Sequence, residues 1–364
     1  VTGRDYRILA VATQGAGGDD EARLRTLLGR LPAEFFPFDR KAKRASARAL
    51  LRTIRRDRPD LVVMEGTGIG GGLALMLGRL TAGVPYVISS GDAVGPFVRS
   101  IRPAFGPAFD RYERRLCRHS AGFIGWSPYL TGRALTFGAP RAMTAAGWAP
   151  FAPRPEARDS VRRRLGIPPD ALVFGIVGSL AWNRRVGYAY GLELVEAVRR
   201  VERSDVRVVI VGDGDGRPRL DALAERSGGR CILTGRVPRD EVPAYLAAFD
   251  VASLPQSLDA VGMFRYTTKI SEYLAAGLPV ATGRLPFAYD LDGGWLWRLE
   301  GVAPWSVPYH ESLARLMDGL TPGELAQKRA AVPRELPEFD RDRQVARTTA
   351  FLLDILEERK DRSV

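Results

Sequence analysis

Cysteine and histidine are nearly missing from this chain: Cys117, Cys231, His119 and His310 are the whole supply in 364 residues. Two cysteines this far apart, with only two histidines besides, make neither a disulfide framework nor a zinc cluster credible. Lysine is almost as scarce. Only five of the 54 cationic side chains are Lys, so a Lys at a chosen place is informative. No apolar run approaches the ~18–20 residues that a membrane-spanning helix needs. Val1–Arg7 leads into a short strand without the charged-then-apolar pattern of a leader, and the expectation is a cytoplasmic protein.

What is present is enough apolar residue, 45% of the chain, for two domains with a core each. The net charge of +12 is uneven. Residues 1–150 hold 23 Lys/Arg against 12 Asp/Glu, whereas the remainder holds 31 against 30. Such asymmetry points to an acidic partner for the first half: nucleic acid, anionic lipid head groups or an acidic small molecule.

Tyr6–Thr13 reads as a strand that runs through Gln14-Gly-Ala-Gly17-Gly18 into a helix ending near Leu31. Its Gly-rich turn is either an anion cradle or a plain strand-to-helix turn, and the acidic Asp19–Glu21 would repel phosphate if it faced inward. Arg40–Arg58 reads as a basic helix with Ala47, Leu50, Leu51 and Ile54 as its apolar stripe. It is either a solvated face over a core-packed stripe, or a peripheral surface lying on anionic lipid through Arg44, Arg48, Arg52 and Arg55. After the strand Leu61–Met64, Gly66-x-Gly68-x-x-Gly71 satisfies the dinucleotide fingerprint, with Asp92 lying 20 residues past Gly72. That supports a rival reading as a nicotinamide-type oxidoreductase, although such glycines also arise wherever a helix packs tightly on a sheet. Pro85–Ser89 is a further strand, and a loop with Arg99 and Arg102 is expected from Ala93 to Pro103.

Gly147–Pro155 is rich in Pro and Gly and reads as an interdomain linker. Beyond it come a helix (Ala157–Leu165), a strand (Val173–Val177) and Gly178-Ser-Leu-Ala-Trp182-Asn183-Arg184-Arg185. Val206–Val211 with Gly212-Asp213-Gly214, and Cys231–Thr234 with Gly235-Arg236-Val237, continue an alternation that reads as a parallel sheet. A last helix, about Arg341–Arg359, carries an apolar stripe.

Val251–Leu285 is the most informative stretch: strand (Val251–Leu254), loop (Pro255–Tyr266), helix (Thr267–Ala276) and strand (Pro279–Thr282). Thr267 and Thr268 suit the helix start and Gly277 its left-handed stop. Lys269 and Glu272 sit three apart and share a face at the end of the helix that attracts anions. They are either an exposed ion pair, or a Lys for the phosphates and a Glu for the ribose of a nucleoside diphosphate.

Lys269-Ile-Ser-Glu272-Tyr273-Leu-Ala-Ala-Gly277-Leu-Pro279-Val280 resembles the donor-binding helix of retaining GT-B glycosyltransferases, the large family four in particular. Val208–Gly214, Thr234–Pro238 and Tyr245–Val251 occur in that family's order and spacing. The resemblance implies an α/β protein of two Rossmann-like domains whose parallel sheets face across a cleft. Residues 1–150 would be the acceptor side, joined by a returning helix over 341–364, and 151–340 the donor side. It implies transfer of a sugar from a nucleotide sugar, UDP- or GDP-linked, to a glycan, lipid-linked or small-molecule acceptor. Configuration would be retained, with no metal, no cofactor and no nucleic-acid partner. Gly17, Gly18, Arg184, Gly212, Val237, Thr267, Thr268, Lys269 and Glu272 would bind the donor; Arg99 and Arg102 would line the acceptor side. Asp92, Arg184 and Lys269 would serve catalysis. Two family positions are changed: Gly91 stands where a His precedes the Asp, and Phe264 stands where the first of two glutamates belongs. A donor-binding pseudoenzyme or partner subunit is therefore a second reading, and a sugar-nucleotide epimerase on the same fold a third.

Overall fold

The computed structural model describes residues 6–334 and 337–361. The chain divides into two compact units. The first runs to Gly147 and also takes in Phe264–Tyr266 and the chain from Pro337 on; the second is the rest.

In the first unit β1 (Ile8–Ala12), α1 (Asp19–Leu27), β2 (Ala33–Phe36), α2 (Lys43–Asp57), β3 (Leu61–Glu65), α3 (Ile69–Ala82) and β4 (Tyr86–Ser90) alternate. Then follow α4 (Val94–Ile101), α5 (Gly106–Arg118), β5 (Gly122–Gly125), α6 (Pro128–Thr136) and β6 (Ala142–Thr144). The strands are all parallel in the order β2-β1-β3-β4-β5-β6. β1 and β3 are unbroken runs buried along their whole length, as a sheet covered by helices on both faces requires. The stretch expected as a loop from Ala93 to Pro103 is instead mostly α4. Pro96 lies in the first turn, where the missing N–H has no intrahelical partner to lose, so it did not stop the helix.

The second unit holds α7 (Arg158–Arg164), β7 (Leu172–Val177), α8 (Leu192–Val198), β8 (Val206–Val211), α9 (Arg217–Ala224), β9 (Cys231–Gly235) and α10 (Val242–Ala247). It continues with β10 (Val251–Leu254), α11 (Thr268–Ala275), β11 (Val280–Gly283), α12 (Phe287–Asp290), β12 (Leu296–Leu299), α13 (Val307–Gly319) and α14 (Pro322–Ala330). Its sheet is also wholly parallel, in the order β12-β11-β10-β7-β8-β9. The last helix, α15 (Arg341–Asp361), returns to the first unit. There Gln344 grips both the N–H and the carbonyl of Gly147, at 2.8 and 2.6 Å. Leu352, Ile355 and Leu356 of this helix are buried.

Each sheet reverses its strand order once, between β1 and β3 in the first unit and between β7 and β10 in the second. The helices leave the two central strands toward opposite faces there, which opens a crevice at the carboxyl ends of the strands.

Candidate functional site

In the second unit the crevice lies past Val177 and Leu254, and the glycines that follow the strands shape it. Gly212, just after β8, has φ +146°, and an added Cβ would overlap the carbonyl oxygen of Gly178. Backbone there must pass against backbone, and only Gly permits it. Over the Gly178 turn lies Lys269, from the first turn of α11. A Cβ on Gly178 would come within 2.8 Å of Lys269 Cε and 3.0 Å of Nζ. The ammonium sits 4.5 Å from the ring centre of Tyr190, on its face, and Gln256 Nε2 donates to the Tyr190 hydroxyl at 3.4 Å.

α11 presents its N-terminus beside this cation. Thr267 is the N-cap, as expected, but its hydroxyl caps nothing and Oγ1 is buried without a hydrogen-bond partner. The backbone N–H groups of that first turn and a half-buried ammonium therefore stand together, which is a place for a phosphate. One turn on, Glu272 is half-buried. Burial pushes its carboxyl up, while Lys269 and Arg239 pull it down. Val237 is half-buried in the turn after β9, where Gly212 N–H donates to Gly235 O at 3.0 Å. Thr268 is exposed in the first turn of the helix.

Beneath the crevice is a carboxylate that the sequence did not reveal. Glu193 is fully buried at the start of α8 and accepts from Tyr188 Oη at 2.8 Å, Ser253 Oγ at 2.9 Å and Gly191 N–H at 3.0 Å. It joins the β7–α8 connection to β10. Nothing in its helix pattern marks it, since an acidic residue in a first helical turn is ordinary.

Three expectations fare differently. Arg184 is exposed at the tip of a tight turn closed by Asn183 and Tyr188, and makes no ion pair among the described residues. Lys269, not Arg184, is the cation at the Gly178 turn. Gly17 offers no open anion cradle, because its N–H donates to Glu21 Oε2 at 3.0 Å; Gly18 is the exposed N-cap of α1. Arg99 is tied to Asp110 of α5, and Arg102 is exposed just past α4.

The first unit's crevice is packed with charge. Arg23 of α1 reaches Glu65 Oε2 at 2.7 Å, Ser89 Oγ at 3.0 Å and Ala145 O at 2.6 Å, all buried, and lies over the Trp126 ring. Trp126 in turn donates to Glu65 Oε1 at 3.1 Å. This tryptophan explains Gly91, since a Cβ there would meet the Trp126 ring at 2.7 Å and no His fits. Asp92 is half exposed and accepts from Arg265 Nε at 2.6 Å. Beside them Asp20 is raised to about 6 by burial first, then by Glu65 and Asp92, with Arg23 opposing.

Arg265 belongs to Phe264–Tyr266, which pack in the first unit. Ser127 Oγ donates to Phe264 O, Arg133 lies over the Phe264 ring, and Tyr266 meets Tyr129 and Phe339. The position of the absent glutamate thus holds an anchoring aromatic ring. The dinucleotide fingerprint dissolves as well. A Cβ on Gly66, Gly68 or Gly71 would fall within 2.6–2.9 Å of Thr13, so these glycines let α3 and its entry close on β1.

The family described as Glycosyl transferases group 1 matches residues 171–297, and the Glycosyl transferase 4-like domain matches 2–146. A 2-deoxystreptamine glucosyltransferase of Streptomyces kanamyceticus is 29% identical over 57% of this chain and 56% of its own. A 2-deoxystreptamine N-acetyl-D-glucosaminyltransferase of Streptomyces fradiae is 29% identical over 62% and 54%. The chain spans a little over half the length of these two relatives. Among solved structures, Anabaena HepE in complex with UDP and glucose superposes with a TM-score of 0.69, at 18% identity, over 96% of this chain and all of that one. The two matches fall one in each half of the chain, which has the GT-B fold and is similar to glycosyltransferases of group 1 in residues 171–297 and to the 4-like domain in residues 2–146.

Proposed function

We propose that the protein is a cytoplasmic glycosyltransferase that takes a hexose from a nucleoside-diphosphate sugar, UDP- or GDP-linked, with retention of configuration and without a metal ion. The observation that carries this is the Lys269 ammonium over the Gly178 turn, beside the N-terminus of α11. There the cation and the helix N–H groups would meet the diphosphate, and Glu272 the ribose hydroxyls. Each charged hydrogen bond of this kind contributes ~1.5–3 kcal/mol. The anomeric C–O bond to the diphosphate breaks, a C–O bond to the acceptor forms on the same face, and the departing phosphate oxygen takes the acceptor's proton. Lys269 and the helix N-terminus stabilise the charge that develops on the leaving group. The acceptor, a glycan, a lipid-linked sugar or a small molecule, would be held by the first unit, near the part-exposed carboxyls of Asp20 and Asp92, beside which Glu65 is buried.

Thermal-shift screening of UDP-, GDP-, ADP- and dTDP-sugars tests the donor. One base should raise Tm for wild type and far less for Lys269→Ala. No shift with any of them, or equal shifts in both proteins, removes the reading. Chelation by EDTA should leave transfer unchanged.

A second reading, a nucleotide-sugar-binding partner without turnover, is favoured by Trp126 closing the His position and by Phe264 in place of the glutamate. Donor hydrolysis and transfer assays on purified protein separate the two.

A further inference from the structure

α3 carries an apolar ridge that no part of the described chain covers. Ile69, Leu73, Leu77 and Leu80 are 41%, 46%, 42% and 81% exposed, at intervals of four, four and three residues. That spacing lines them along one helix face. The opposite face is committed. Ala74, Leu75 and Gly78 are buried, with Gly78 seated on Ile54 of α2, and Gly72 abuts Tyr112 of α5. α3 thus lies between α2 and α5 with its leucines outward.

Both flanking helices are basic where they are exposed. α2 presents Arg44, Arg48, Arg52 and Arg55, and Arg55 Nε donates to Thr81 Oγ1 of α3, so the arginine row adjoins the ridge. α5 presents Arg111 and Arg115, one turn apart on its outer side. The acids of these helices are spent elsewhere. Asp57 pairs with Arg56, Asp110 with Arg99, and Glu113 is buried against Arg133.

We propose that this face docks on an anionic lipid bilayer, the ridge entering the acyl boundary and the two arginine rows resting on the head groups. Apolar residues flanked by exposed cations are what interfacial binding needs, and neither element holds a protein there alone. A second copy of the chain fits poorly. A two-fold dimer across α3 would set arginine rows against arginine rows with no acids between. The surface also reassigns the basic helix, since α2 supplies the rim, and the insertion rests on leucines of the next helix. Docking stands independently of the sugar-transfer reading.

Co-sedimentation of the purified chain with vesicles tests it, using neutral phosphatidylcholine and the same lipid with about one-third phosphatidylglycerol. Binding is expected to the anionic vesicles alone, weakening in high salt. It should fall by about tenfold in Leu73→Gln/Leu77→Gln/Leu80→Gln, and similarly in Arg44→Gln/Arg48→Gln/Arg52→Gln/Arg55→Gln. Unchanged melting curves show that the folds are intact, and the arginine variant, altered only at exposed positions, remains readable if the leucine variant does not fold. No wild-type binding, or binding indifferent to both variants, overturns the proposal. So does a concentration-dependent dimer in sedimentation velocity that the leucine variant abolishes.

Discussion

Two glycines at the second unit's crevice separate function from stability at the scale of one residue. An Ala at Gly178 would clash with the far end of Lys269, a flexible side chain that can swing away, and would touch Tyr190 at an ordinary 3.6 Å. Gly178→Ala should therefore cost below about 1 kcal/mol of stability yet weaken nucleoside-diphosphate binding by about tenfold, because the displaced ammonium no longer covers the turn. At Gly212 the obstacle is the Gly178 carbonyl itself, and φ is +146°. Gly212→Ala should destabilise the fold by about 2–4 kcal/mol. Urea unfolding and calorimetric titration with UDP and GDP measure both. Equal losses of stability in the two variants would contradict the placement of Lys269. Glu272→Ala makes a third case, with binding weakened several-fold and unfolding nearly unchanged, and equal affinity in wild type and variant would contradict the ribose assignment.

Glu193 acts between elements, linking the start of α8, the Tyr188 turn and β10. Burial raises its carboxyl from 4.5 to about 7, against the pull of its three donors. The folded protein therefore binds this proton more tightly than the unfolded chain does. Its contribution is complete below about pH 4.5 and is lost as pH rises through 7, about 3 kcal/mol in all. Asp20 behaves alike between 3.8 and about 6. Asp250, held low by Arg162 and Arg158 against its own burial, works in the opposite sense at acid pH. In urea titrations from pH 5 to 8, wild type should lose stability more steeply than Glu193→Gln, and parallel curves would show that the group titrates normally. Elements were also what the sequence disclosed best. Apolar runs such as Leu172–Val177 have few places to go other than a buried parallel strand, and the spacing of Lys269 and Glu272 stated their shared face outright. α4 was hidden because Pro96 looks like a breaker when its place in the first turn is unknown. Arg265 with Asp92, and Trp126 with Gly91, were illegible for another reason: the first pair is 173 residues apart, and no local pattern announces a partner across the chain.

For the whole molecule, the first unit closes on itself only through chain that comes back to it. Gln344 of α15 satisfies both backbone groups of Gly147, the last residue before the chain departs for the second unit, and all of these atoms are buried. Farther along, Arg141 pairs with Glu358, and Arg359 donates to the carbonyls of Asp60 and Gly83. These last contacts are exposed and salt-screened, so they contribute little each. Gln344 is different, because Gln344→Ala would leave a buried N–H and a buried carbonyl without partners, at about 1–3 kcal/mol for each group. The two units have separate cores, and calorimetry should resolve their melting where the stabilities differ. In Gln344→Ala the transition of the first unit should fall by several degrees, while the transition of the second, the one that UDP or GDP would raise under the proposed function, stays in place. A shift of both together would mean that the units unfold as one. A shift of neither would mean that α15 is held by its apolar face, Leu352, Ile355 and Leu356, and owes nothing to the polar clasp at Gly147.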